Sequence, residues 1–459
     1  MRLAPTLLVL TLAASTASVA APVVELPGRV SAHVVEPRIS EVPLVLPAGL
    51  SAGATTLAPI PAPAFALLGL TWDRPVPGAS VAGAPDGHDS DVGPQLSVRT
   101  RADGTWSDWT ALEADGDGPD GDVDAAAADA SADPAGRTDR AARRLGTAPL
   151  WVGNADAFQV RLDHVDQAAL TGLRAVLVDP GRSAADADVG SVPRVASQAH
   201  ATIAWPTVYR RKDWGADEKL RKGKPRYTGR IQAAFVHHTA GTNDYTPAEV
   251  PKILRGIFAY HVKGRGWSDV GYNFLVDKFG RIWEGRAGGI DRAVLGAHTG
   301  GFNKNSFGVS VLGDYTRTAP TPETLAAVAR IIAWKFGLTG DGTVLDPLAT
   351  VELISEGGGT SRYKSGTHVD FVRVSAHRDA GRTECPGALL YAQLPTIRSQ
   401  VRDILVEESP FGPSLPEPSP GATPVPPADG ANPAGGHEPD EAGDSEPTDE
   451  GVSPAATSG

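Results

Sequence analysis

One cysteine, Cys385, stands in a chain of 459 residues. A single thiol closes no internal disulfide, so the fold must be held by its hydrophobic core. The length allows two or three domains. The first residues, "MRLAPTLLVLTLAASTASVAAP", place one arginine ahead of an apolar run at 7–12, then Ser18-Val19-Ala20, a small-x-small cleavage pattern. This reads as a secretory signal peptide over 1–20. Its apolar part is too short to act as an anchor, and no later run approaches the ~20 residues of a spanning helix. The expectation is an exported, soluble chain.

Net charge is -12, unevenly spread. Residues 210–230 hold nine Lys and Arg against three acidic residues, while the acidic excess lies in "DGDGPDGDVDAAAADASAD" and in the C-terminal tail. Nucleic acid is not expected as a partner of an exported chain with this balance. A basic stretch of this kind suits an anionic wall polymer, although most charge runs are only solvated surface.

Composition divides the rest. Residues 21–60 are rich in Pro and small residues and read as a linker. Over 61–182 come short β-branched or aromatic pieces bounded by Gly, Pro and Asp: "FALLGLTW", "QLSVRTR", "WSDWTAL", "FQVRLD" and "LRAVLVDP". They predict an all-β, sandwich-like domain. A polar low-complexity insertion over 113–140 interrupts it and is expected to be a disordered loop. Its Asp-Gly pairs lack the spacing of a calcium loop. A second linker covers 183–205. The region 206–405 mixes strand patterns ("QAAFVHH", "YNFLVD", "RIWEGR", "GVSVLGD", "VRVSAH") with helical ones. Thr321 caps a helix that starts with Pro322 and stops at Gly337. Ile253, Ile257 and His261 form a second helical stripe. Leu390, Leu394, Ile397 and Val401 form a third, with a break expected at Pro395. The fold class is therefore a β domain followed by an α/β domain, a mixed central sheet with flanking helices. The α/β region is expected to stand alone as the functional domain. The tail, 406–459, is Pro-rich and acidic and is expected to be disordered; its "HEPDE" lacks the second His of a zinc-binding helix.

Two elements carry chemistry. "FVHHTA" puts two histidines on a strand, where successive side chains face opposite ways. One of the pair can serve a given site, and alternation alone does not choose between them. "SAHRDAGRTECPG" ends a strand at His377 and reaches Cys385 eight residues later, just before Pro386-Gly387 and a helix. A proline in the first turn would set Cys385 at the helix N-terminus, where the dipole favours thiolate. One thiolate and two neutral imidazoles make a three-ligand set for zinc with a fourth position open to water. Each residue alone has a plainer explanation: His261 or His298 as a hydrogen-bonded core histidine, Cys385 as a buried hydrophobe. The joint pattern outweighs these.

Five segments, "RKDWGA" (211–216), "FVHHTAG" (235–241), "GWSDVGYNFLVDKFGRIWEGR" (266–286), "GAHTGGFNKNSFGVSVLGDY" (296–315) and "HRDAGRTECPG" (377–387), resemble the peptidoglycan recognition proteins. These form the zinc N-acetylmuramoyl-L-alanine amidase family that includes phage amidase-type lysozymes. The resemblance covers roughly 206–400, and the N-terminal strands more weakly resemble the extra domain of actinobacterial members. It implies a Zn2+ ion held by His237, His377 and Cys385. It also implies Tyr272 and Thr383 in catalysis, and His298 and Asn303 along the substrate groove. His261 is expected to pack structurally beside the site. The implied activity is hydrolysis of the amide between N-acetylmuramic acid and L-alanine, outside the cell or at its wall, by a monomer whose partners are peptidoglycan and muropeptides. The alternative is a recognition module that binds without cutting. Two departures stand out: "SAH" replaces a Gly-His pair, and 340–373 is a long insertion ahead of the second ligand motif.

Overall fold

Phe65, Leu67 and Leu68 open an apolar run that a strand can bury on both sides, and the longest strands of the N-terminal part form around such runs. The structure is a computed structural model describing residues 36–47, 54–73, 95–115, 118, 144–163, 170–186, 203–338 and 344–408. The expected signal peptide, most of the insertion, part of the second linker and the tail beyond 408 lie outside the described residues.

Ten strands of the β domain share one hydrogen-bonded network: β1 (Arg38–Pro43), β2 (Thr55–Thr56), β3 (Ile60–Trp72), β4 (Gln95–Ala102), β5 (Thr105–Trp106), β6 (Thr110–Leu112), β7 (Ala114–Asp115), β8 (Leu145–Thr147), β9 (Leu150–Asp163) and β10 (Arg174–Asp179). The main path runs β1-β10-β3-β9-β4-β5. β3 and β9 pair antiparallel with register shifts near Pro61 and Phe65, irregularities that bend long strands. Leu68, Leu70, Val98, Phe158, Val160 and Leu177 fill the domain's own core. β1 lies inside the stretch expected to be linker. It is an edge strand on β10, and Pro43 at its end is tolerated there because an edge leaves N–H positions unpaired.

The second domain contains β11 (Val208–Tyr209), β12 (Ala233–His238), β13 (Phe274–Val276), β14 (Ile282–Glu284), β15 (Ser306–Val311), β16 (Thr350–Ile354), β17 (His368–Val372) and β18 (Val374–Ala376). Six of these form a mixed sheet in the order β11-β14-β13-β15-β12-β18, antiparallel only at β13–β14. The helices are α1 (Val250–Ala259), α2 (Pro322–Phe336), α3 (His377–Ala380), α4 (Ala388–Tyr391) and α5 (Leu394–Glu408). β12 is buried at every position, as a central parallel strand covered on both faces must be. Val236, Val309 and Phe274 face α2 and α5, whose Val328, Ile332, Ile397 and Val401 complete the main core. Phe235 and Leu275 face the other way. Thr321 accepts from Thr324 N at the start of α2, as its sequence predicts. The expected break at Pro395 falls instead between Tyr391 and Leu394, and Pro395 sits in the first turn of α5, where its missing N–H costs nothing. The insertion ahead of β18 folds as the β16–β17 hairpin, with Leu353 and Phe371 packed on Phe235 and Phe302.

α1 joins the two domains. Its Val250, Ile253, Leu254, Ile257 and Phe258 share one apolar cluster with Leu67, Trp151, Val176 and Val178 of the β domain. Tyr260, just beyond α1, donates its hydroxyl to Leu70 O at 3.2 Å and Thr147 O at 2.8 Å. Gly69 is required opposite it, since a Cβ there would come within 2.3 Å of the Tyr260 ring. The buried Arg265 guanidinium reaches back to Asp115 at 2.9 Å. The α/β domain expected to stand alone thus shares its core with the domain before it. Among the described residues no helix is long and apolar enough to cross a membrane.

Candidate metal centre

The register of two parallel strands builds the site. Val236 of β12 lies opposite Ala376 of β18. The next residue after each is a histidine, His237 still on β12 and His377 at the start of α3, so the two emerge side by side with ring centroids 4.7 Å apart. Cys385 returns to them from the loop after α3, held by its N–H on Thr383 Oγ1 at 3.1 Å and its carbonyl on Arg378 N at 3.0 Å. One ligand atom from each of His237, His377 and Cys385 can be chosen so that all lie within 4.8 Å of one another, and all three residues are buried.

The hydrogen bonds orient the rings. His237 Nδ1 faces Cys385 Sγ at 3.7 Å. Its Nε2 faces His298 Nδ1 at 3.1 Å and Thr299 Oγ1 at 3.3 Å. The outer nitrogen therefore has partners, the arrangement that fixes the tautomer of a metal-ligating imidazole. Burial, followed by the neighbouring His377, His298 and His238, pushes His237 well below the usual imidazole range, so it is neutral and able to ligate. Burial pushes the Cys385 thiol up to about 11, against the lowering contribution of His377. The helix that was expected to lower it does not begin at Cys385: Gly387 is the N-cap of α4, and that helix has four residues. With no helix dipole to lower it, a thiol in this pocket would need a bound cation to displace its proton. Two imidazoles and a thiol at these separations fit zinc.

His238, the second of the pair, faces away from this triad. Tyr315 N donates to its Nδ1 at 3.3 Å, which puts the ring proton on Nε2. That proton is donated to Glu113 Oε2 at 2.8 Å. Thr383 Oγ1 donates to Glu113 Oε1 at 2.6 Å. Burial raises the Glu113 carboxyl, but the hydrogen bond from His238, with the Thr383 hydroxyl and the neighbouring His377, outweighs it and holds the group below the usual carboxylate range.

Tyr272 is half-buried, 5.4 Å from the His237 ring between centroids, and lines the same pocket as His377, Thr383 and Cys385. His298 backs His237. Asn303 is buried, its Oδ1 accepting from His298 N at 2.7 Å and Thr299 N at 3.1 Å, and its Nδ2 donating to Gly118 O at 3.2 Å. Asn303 thus scaffolds the loop that positions His298. His261 packs on Trp267 at 4.4 Å between centroids and accepts from Gly271 N. Sequence reasoning missed Glu113 and Thr360; the latter lies 3.4 Å from His377 Nε2. Glu113 opens an acidic low-complexity stretch, where nothing local marks one carboxylate as different.

Comparison with known proteins finds two matching families and several relatives. A family profile described as N-acetylmuramoyl-L-alanine amidase matches residues 227–388. One described as Rv3811 N-terminal galactose-binding domain-like matches 31–187. The chain is 32% identical over 190 residues to peptidoglycan-recognition protein SC2 of Drosophila simulans, covering 41% of this chain and 85% of that protein. It is 35% identical over 128 residues to peptidoglycan recognition protein 1 of Bos taurus, covering 28% of this chain and 64% of that protein. Among solved structures, Drosophila PGRP-LB aligns at 27% identity and TM-score 0.31, over 41% of this chain and 92% of that one. The chain therefore belongs to the peptidoglycan recognition and N-acetylmuramoyl-L-alanine amidase family, with a galactose-binding-like β domain ahead of its α/β domain.

Proposed function

We propose that this protein is an exported, monomeric zinc amidase that hydrolyses the bond between the lactyl carbonyl of N-acetylmuramic acid and the amino group of L-alanine in peptidoglycan. The observation that carries this reading is the convergence of His237, His377 and Cys385 in one buried cluster beside a pocket. The retained cysteine favours an enzyme over a module that only binds. Export rests on the sequence pattern of residues 1–20.

Zinc held by His237, His377 and Cys385 would supply Lewis acidity and a nucleophile at neutral pH. The protein's own groups do the rest. His298 and Thr299 hold the outer nitrogen of His237 and so keep its inner nitrogen turned to the cluster. Addition of water oxygen to the lactyl carbon creates a tetrahedral oxyanion, and the Tyr272 hydroxyl in the pocket is the donor best suited to it. The C–N bond then breaks, and the L-alanine nitrogen leaves as an amine carrying the proton that the attacking water gives up. The resemblance also implies Thr383 in catalysis, as a donor or in relaying the proton. Its hydroxyl donates to Glu113 and accepts from Cys385 N, which leaves its oxygen one further acceptor position for a relay.

Zinc content and cleavage of a soluble muropeptide, measured on one preparation of the full chain, test the reading. One zinc per chain with release of a free peptide is expected. Tight muropeptide binding with neither zinc nor cleavage would leave a recognition module.

A further inference from the structure

Glu113 belongs to the β domain, outside the segment that matches the amidase family, yet it lies inside the candidate metal centre. We propose that Glu113 is a positioning residue of that centre, lent by the N-terminal domain, which fixes the two segments carrying His237 and Cys385. The proposal rests on the zinc reading above.

A closed circuit of hydrogen bonds carries it. Cys385 N donates to Thr383 Oγ1, and Thr383 Oγ1 donates to Glu113. His238 Nε2 donates to the other oxygen of Glu113, and His238 N donates to Cys385 Sγ at 3.4 Å. The circuit thus starts and ends on Cys385. Glu113 is its only member from the β domain, and it ties the residue after His237 to the residue two before Cys385. Each of its carboxylate oxygens takes one donor. Removing it would leave the largely buried His238 N–H and the Thr383 hydroxyl without their acceptor.

The carboxylate is itself held in place. Leu112, just before it, is buried in the β-domain core. Ala148 N donates to Glu113 O at 2.8 Å. β7, just after it, pairs with β8, and Asp115 of β7 is gripped by the buried Arg265. A side chain anchored chiefly by its own domain, with Arg265 of the other domain added, supports the centre from one bond beyond His238 and Thr383, which touch Cys385 themselves. Loss of a partner bonded directly to a ligand costs roughly 10–100-fold in metal affinity or activity.

The test measures zinc affinity of the full chain by competition with a chromophoric chelator, which needs no turnover. Glu113→Ala is expected to weaken zinc binding by roughly 10-fold, the low end of what loss of a partner bonded directly to a ligand costs. Glu113→Gln, which keeps the bulk and can still accept from His238, should lose less. Melting of the metal-free proteins checks that both variants fold. If Glu113 acts through Thr383, then Glu113→Ala added to Thr383→Val should cost clearly less than Glu113→Ala alone. Zinc affinity unchanged in both single variants would overturn the proposal. So would tighter zinc binding or faster cleavage, which would make Glu113 an obstruction at the site. Wild-type protein that binds zinc but leaves the amide intact would sink the amidase reading while leaving this comparison readable.

Discussion

His238 points its backbone N–H at Cys385 Sγ, 3.4 Å away, across 147 positions of sequence. The contact joins the end of β12 to the loop after α3 and fixes the thiol beside His237. Cys385→Ser keeps the size of the side chain but replaces a soft thiolate with a hydroxyl that is hard to deprotonate. The variant should lose most of its zinc in elemental analysis and all measurable amide cleavage. Muropeptide binding by calorimetry should largely survive. Full zinc and full activity would remove Cys385 from the ligand set.

Tyr272→Phe removes one hydroxyl and keeps the ring beside His237. Turnover should fall by roughly 10²–10³, the loss seen when a single oxyanion donor is removed. Zinc content should stay unchanged. A wild-type rate would take Tyr272 out of the chemistry.

The core and the site differ in how far the sequence discloses them. β12, β15 and α2 could be read directly, because short runs rich in Val and Phe and a Thr-Pro helix start leave few alternatives. The proximity of His237 and His377 could not, because it depends on the register of β12 against β18, which is set by long-range pairing. The family resemblance supplied the choice of His237 over His238. The structure gives it a physical reason, since strand alternation sends His238 towards Glu113. Glu113 was hidden, since it precedes a polar run and acquires its role only by domain packing. The same packing bears on the expectation of an independent α/β domain, because α1 shares its apolar cluster with the β domain. The apolar face of α1 looks amphipathic in sequence, but nothing local names its partner.

Excising 206–405 should therefore expose that face of α1. The fragment should aggregate or melt well below the full chain in calorimetry. In the full chain, Tyr260→Phe deletes the donor to Leu70 O and Thr147 O and should cost about 1 kcal/mol in denaturant titration. A fragment as stable as the full chain would show that the shared cluster contributes little.

Lys335 is buried in α2, and its ammonium meets the carbonyls of Ile290 and Arg292. Burial pulls it down from 10.5 to about 7, against the raising contribution of Asp291. The unfolded chain then binds more protons than the folded one between about pH 7 and 10.5. Stability conferred at this position therefore rises with pH through that window and is lowest below it. The difference in unfolding free energy between wild type and Lys335→Met should change with pH by a slope approaching about 1.4 kcal/mol per unit. A flat difference from pH 6 to 10 would contradict a depressed lysine.

The most direct test of the account is digestion of purified peptidoglycan by the full chain, followed by mass spectrometry of the soluble products. With zinc present, free stem peptides bearing an L-alanine amino terminus should be released, with no new reducing sugar ends, and a chelator should abolish the release. Peptidoglycan that binds the protein but yields no free stem peptide, with zinc bound at full occupancy, would contradict the account.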